Sequence, residues 1–170
     1  MTEQQLVERF EETATANETM NTSFRDPSEL RDGDLELICT RRGEADEEKG
    51  LVPWYEFSMR RVGSDQDMGK ISLRLGNTPH LVSYGGHMGY RVEEPFRGHR
   101  HAARSIRLLL PLAKEHELSP LWITCDPDNA ASRRSCELAG GVLVEIVDLP
   151  PDTDLYKRGL RQVCRYKFDV

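Results

Sequence analysis

The sequence predicts an α/β (α+β) domain built on a mixed, strongly twisted sheet of six or seven strands flanked by helices. Three observations predict it. Seven short runs with strand-like composition or alternation recur between residues 35 and 170. Two segments with helical spacing, opening near Ala102 and Ala130, fall between the later runs. The chain has 170 residues, 38% hydrophobic and 31% charged, which suits one globular domain with a charged surface.

Residues 1–34 read as an acidic N-terminal arm, partly helical: Leu6, Val7 and Phe10 give a short helix over Glu3 to Glu12, and the Asn, Ser, Pro, Asp and Gly content of Met20 to Gly33 gives a loop. A single domain then runs from 35 to 170. Leu35 to Thr40 alternates as a first strand, and Arg41 to Gly50 is too short and too acidic for two helices. Trp54 to Val62 and Met68 to Leu75, separated by Gly63–Asp67, form a hairpin with a polar loop. Gly76 to Pro79 turns the chain into an extended segment from Tyr84, in which Met88, Tyr90 and Val92 alternate with His87 and Arg91. Pro95 breaks that strand. From Ala102 apolar residues fall at Ala103, Ile106, Leu109, Leu110 and Ala113, a helix in which Pro111 removes the N–H that would bond to Arg107 and predicts a kink. Leu121 to Cys125 is a buried strand, and Asp126 to Asn129 is a turn able to cap the helix Ala130–Ala139, closed by Gly140-Gly141. Val142 to Val147 is a strand, Asp148 to Arg161 a long loop, and Gln162 to Val170 the last strand.

A net charge of −6 argues against a nucleic-acid partner. The charge is uneven, however. Arg97, Arg100, Arg104 and Arg107 with His99 and His101 make a basic island on an acidic body, which suits a small polyanion. The four cysteines, Cys39, Cys125, Cys136 and Cys164, are widely spaced, without the pairing pattern of a disulfide framework or a zinc ribbon, and read as reduced thiols. No apolar run approaches about 20 residues and no secretory leader is visible, so a cytoplasmic protein with no membrane partner is expected. His99-x-His101 lacks a third ligand at useful spacing, and no metal is expected.

The stretch from Tyr84 to Leu112 reads as strand, basic turn and helix, and the turn lies on a helix N-terminus, where free N–H groups and the helix dipole favour phosphate. Together with WITCDPDNAASRRSCELAGG from Trp122, it resembles the GNAT superfamily of acyl-CoA-dependent N-acetyltransferases, over about three quarters of the chain. Arg97 and Ala102 match the first and last positions of the family's pyrophosphate loop, while Arg100 stands where glycine is usual. The resemblance implies the GNAT-like fold with a cleft where the segment Gly89–Val92 splays from its neighbour. It implies acetyl-CoA as co-substrate, its pyrophosphate held by Arg97, Gly98, His99, Arg100, His101 and Ala102 and its pantetheine arm along Tyr90, Arg91 and Val92, by strand-like pairing. Asn129 would cap its helix and also bond the pantetheine amide. Arg100 fits the loop unstrained if its backbone is helical, and costs about 1 kcal/mol if a positive φ is required.

Acid and base are where the chain departs from the family. The ribosomal-protein alanine acetyltransferases use a glutamate five residues before the asparagine and a tyrosine seven after, and here those positions hold Thr124 and Cys136. Cys136 reads either as a proton donor to the leaving CoA thiolate or as a buried structural thiol. His87 is the candidate base. Glu93 and Glu94, acting through water, come next, and Tyr156 is a further candidate for the acceptor or the thiolate. The expected activity is transfer of an acetyl group from acetyl-CoA to an amine of a small molecule or peptide by direct attack, in a monomer or homodimer. The acidic body and the 148–154 stretch favour a cationic acceptor such as a polyamine, an aminoglycoside or a basic peptide end. Thr124, Cys136 and Arg100 motivate the alternative of a non-catalytic acyl-CoA-binding or sensor domain.

Overall fold

In a computed structural model of the protein, residues 23–170 are described. The helix expected over Glu3 to Glu12 lies outside them. The first five strands are β1 (Arg31–Asp32), β2 (Leu35–Gly43), β3 (Trp54–Arg61), β4 (Asp67–Arg74) and β5 (Met88–Val92), which form one sheet in sequence order with every pairing antiparallel. Alternation sets which face is buried. Tyr55, Phe57 and Met59 of β3 lie beside Leu35 and Leu37 of β2 and Ile71 and Leu73 of β4, all buried on one face. Helix α1 (His101–Glu115) covers that face with Ala103, Ile106, Leu109 and Ala113. Each large apolar side chain fully buried there contributes about 1.5–3 kcal/mol.

The second sheet contains β6 (Leu121–Cys125), β7 (Val142–Asp148) and β8 (Gln162–Phe168) in the order β6-β8-β7, again antiparallel. Helix α2 (Ala130–Leu138) follows β6, and a short helix α3 (Asp154–Lys157) lies within the loop expected between 148 and 161. Among the described residues no helix is long and apolar enough to cross a membrane. The α/β class expected from the sequence is found, with its strands divided into sheets of five and three.

The division falls between β5 and β6, the ends of the two sheets. Backbone joins them where the His87 amide, just ahead of β5, donates to the Trp122 carbonyl at 2.7 Å. Gly86 makes this approach possible: a Cβ there would stand 3.0 Å from the Thr124 nitrogen, and its φ of +70° suits glycine. The strand expected from Tyr84 starts later than its alternation suggests, because Leu81–Gly85 forms a π-helical turn. Thr78 nucleates that turn, its carbonyl accepting from the Val82 amide at 3.0 Å and its hydroxyl from the Leu81 amide at 3.3 Å. Arg165 of β8 ties the turn to the second sheet, donating from Nη2 to the Val82 carbonyl at 2.8 Å and stacking on Trp122 at 4.0 Å.

Candidate active site

Beyond β5 the chain makes a 3-10 turn at Glu94–Phe96, favoured by Pro95, and enters the basic loop. Arg97 is extended and its Nε donates to the Val92 carbonyl at 3.0 Å, folding the loop back on the strand. Gly98 has φ +86°. Arg100, the residue before α1, is left-handed, with φ 61° and ψ 22°, and its side chain makes no capping bond. Of the two backbone conformations open to Arg100 from sequence, the strained one is adopted: the family's glycine position does require positive φ here. The amides of Gly98, His99, Arg100, His101 and Ala102 have no acceptor among the described residues. They stand at the positive end of a 15-residue helix.

Arg104 leaves the basic island, because its guanidinium is bound by Asp32 and Asp34, with Nε 2.8 Å from Asp32 Oδ2 and Nη2 3.0 Å from Asp34 Oδ1. Arg97, Arg100 and Arg107 remain exposed. His99 lies beside His101, ring centroids 5.7 Å apart. His101 is buried with Nδ1 unpartnered among the described residues, and burial lowers its pKa, with help from Arg104.

The loop opens into a cleft of about 360 Å³ lined by Tyr90, Arg91 and Val92 of β5, by Phe96, Arg97, Gly98, Arg100, His101 and Ala102, and by Asn129, Ala131, Ser132 and Ser135 of the α2 end. The structure therefore brings together every residue that the resemblance assigned to coenzyme binding except His99. Asn129 caps α2, its Oδ1 accepting from the Ser132 amide at 3.0 Å.

Tyr90 is the bridge that sequence reading missed. Its hydroxyl crosses to α2, 2.8 Å from Ser132 Oγ and 3.4 Å from Cys136 Sγ, and burial raises its pKa. Cys136 is fully buried behind it. The hydrogen bond from Cys125 favours ionising Cys136, lowering its pKa, and holds the Cys125 thiol well above the ordinary range. The signal in sequence was period-two alternation, which put Tyr90 on the helix-facing side without revealing what its hydroxyl meets.

His87 has no exposed surface. Its Nδ1 accepts from the Trp122 amide at 2.9 Å and its Nε2 lies 2.9 Å from Asn77 Oδ1, so both ring nitrogens are occupied by the protein. Burial depresses its pKa to about 4, well below the ordinary 6.5. This corrects the expectation of a base: His87 is a neutral peg between two sheets. Glu94 is exposed in its turn, and Tyr156 sits on α3 with Arg161 stacked over its ring at 4.0 Å; neither lines the cleft. Glu93 is held by Arg91 at 2.7 Å. Thr124, at the glutamate position, donates to the Tyr84 carbonyl at 2.7 Å and so fixes the turn rather than moving protons.

Free amides at a helix end, feeding a gap between two strand edges, suit an anionic ligand with an extended, amide-bearing arm. The chain belongs to the GNAT acetyltransferases: the family model for the acetyltransferase (GNAT) domain matches residues 3–142. No curated protein sequence matches it. Among solved structures it is similar to the ribosomal L7/L12 α-N-protein acetyltransferase RimL in complex with coenzyme A, which is disulfide-bonded to a cysteine of that protein (13% identity, TM-score 0.60, covering 84% of this chain and 98% of that one). It is similar to a putative ribosomal-protein-serine acetyltransferase from Vibrio cholerae (14%, TM-score 0.59, covering 86% and 100%). It is also similar to the microcin C7 self-immunity acetyltransferase MccE in complex with acetyl-CoA and AMP (13%, TM-score 0.52, covering 69% of this chain), of which it spans 61% of the length. At these identities the likeness is one of fold.

Proposed function

We propose that this acyltransferase moves an acetyl group from acetyl-CoA to a primary amine by direct attack within the cleft between β5 and β6. The observation that carries the reading is the set of amides from Gly98 to Ala102, without acceptors among the described residues, opening onto an unpaired β5 edge in one cleft with Asn129 and Tyr90. These groups fit a pyrophosphate with an amide-bearing arm: the loop offers converging N–H donors and two exposed arginines, and Gly98 has nothing within 4 Å of its Cβ position to crowd it. The fold supports the same choice, since two similar structures hold coenzyme A or acetyl-CoA.

Acetyl-CoA supplies the activated thioester carbonyl. The chain's own residues do the rest. Arg97 and Arg100 with the loop amides bind the diphosphate, the β5 edge orients the arm by strand-like pairing, and Asn129 bonds it from α2. The Tyr90 hydroxyl, held by Ser132 and Cys136 at the cleft, is the group we assign as proton donor to the leaving thiolate. Among the described residues no carboxylate lines the cleft, so the amine enters deprotonated or loses its proton to water.

The test is calorimetric titration with CoA followed by a free-thiol assay with acetyl-CoA over a panel of amines. Micromolar CoA binding and thiol release with at least one amine are expected. CoA binding without transfer to any amine would return the non-catalytic alternative.

A further inference from the structure

Arg74, at the end of β4, differs from the other inward-turned arginines. Arg60, Arg104 and Arg165 each meet a carboxylate. Arg74 meets none among the described residues. Its Nη1 donates to the carbonyls of Gly86 at 2.9 Å and Gly85 at 3.4 Å, while Nη2 and Nε have no acceptor among the described residues. Burial lowers its pKa, by withdrawing the charged guanidinium from water. Glu56, a carboxylate on the adjoining strand, is occupied by Lys70 at 3.1 Å. A guanidinium withdrawn from water without a counter-charge is costly, and an anion arriving beside it removes that cost.

Its position relative to the cleft is set by the register. On β4, Ile71 and Leu73 turn toward α1, so Ser72 and Arg74 turn to the opposite face. Ser72 stands opposite Gly89, and the Arg74 guanidinium reaches over Gly89, with Nη2 3.3 Å and Nη1 3.8 Å from where a Cβ would be. Gly89 immediately precedes Tyr90, whose side chain faces the cleft from the other side of the strand. The guanidinium therefore lies across β5 from the cleft lining, so that an acceptor meeting the thioester from that side would pass it.

The geometry points to Arg74 as the seat of an anionic group on the acceptor, a carboxylate or phosphate carried close to the amine that is acetylated. This rests on the acetyl-transfer reading and narrows its acceptor class. It runs against the cationic acceptor suggested by the acidic 148–154 stretch, whose Asp148 is bound by Gln162 at 2.9 Å and whose Asp154 faces Lys157 at 4.0 Å.

Serine, ethanolamine and O-phosphoethanolamine share an amine and differ in carboxylate, absence of charge and phosphate. Each is titrated calorimetrically into the CoA-loaded full chain and assayed with acetyl-CoA, in the wild type, Arg74→Lys and Arg74→Gln. At least one anionic amine is expected to bind about tenfold to a hundredfold tighter than ethanolamine, as fits a charge-assisted hydrogen bond. Arg74→Gln should erase that difference and leave ethanolamine unchanged, while Arg74→Lys keeps part of it. Serine alone showing the advantage identifies a carboxylate, O-phosphoethanolamine alone a phosphate. Equal or weaker binding of both anionic amines in the wild type, or an equal loss for all three in Arg74→Gln, overturns the assignment. Failure of CoA itself to bind overturns the acetyl-transfer reading instead.

Discussion

His87 and Trp122 grip one another from both directions: the His87 amide donates to the Trp122 carbonyl at 2.7 Å, and the Trp122 amide donates to His87 Nδ1 at 2.9 Å. Because Nδ1 is an acceptor, the ring proton is on Nε2, donated to Asn77 Oδ1. Burial lowers the pKa from 6.5 to about 4, so over that window the unfolded chain takes a proton that the folded chain refuses. Stability from the neutral ring is complete above pH 6.5 and is lost as pH falls toward 4, by about 3 kcal/mol in all. Thermal unfolding between pH 7.5 and 4.5 should show Tm falling steeply in the wild type and less steeply in His87→Gln. An equal slope in both would refute the pairing. The pH–rate profile of acetyl transfer should show no inflection near 6.5 that vanishes in His87→Gln.

Arg100 holds a left-handed backbone that costs an L-residue about 1–2 kcal/mol. After the added unfolded-state entropy of glycine, Arg100→Gly should stabilise the fold by about 0.5–1 kcal/mol, raising Tm by about 1–4 °C. The same change removes a cation from the proposed diphosphate site, so CoA affinity should fall by about threefold to tenfold. Calorimetry and thermal melts on one sample separate the two effects.

Gly98 is the loop's other left-handed residue, at φ +86°. Arg97→Ala combined with Gly98→Asp places a carboxylate among the amides and strains the turn, and CoA binding should weaken by about a hundredfold or more. Unchanged binding in that double variant would remove the loop from the site.

Tyr90 and Cys136 share a hydrogen bond of 3.4 Å beneath the cleft. Tyr90→Phe and Cys136→Ala should each lower kcat by about tenfold to a hundredfold, within the range of lost proton donation, and the double variant should be no worse than the poorer single one. KM for acetyl-CoA should change by less than about threefold. A loss in Cys136→Ala confined to Tm would make the thiol purely structural.

The hairpin of β3 and β4, the strands β6 and β8, and helices α1 and α2 were legible because each follows from spacing within a few residues of itself. So was the basic turn ahead of α1, since Arg97, Gly98 and Ala102 stand close together in sequence at the start of that helix. The π-turn over Leu81–Gly85 was not, because the alternation beyond it continues back through Tyr84 and only the Thr78 cap breaks it. His87 looked like a base because its partners, Asn77 and Trp122, come from separate segments of the chain. The Tyr90–Cys136 contact spans 46 positions, and Arg74 reaches Gly86 only through the folded turn. Pairings of that kind are decided by tertiary packing, which a linear pattern does not encode.

The separation of β5 from β6 leaves two strand edges, one in each sheet, bordering a common gap. An exposed, uncapped β-edge invites a second chain to dock, and soluble proteins usually blunt such edges with charge, proline or a covering segment. Here two of them, one from each sheet, are turned toward one another and clasped at the His87 end, so a stray strand finds the approach narrowed by the molecule itself. The slot proposed for a slender, amide-bearing ligand is thereby also a shelter for two otherwise adhesive borders.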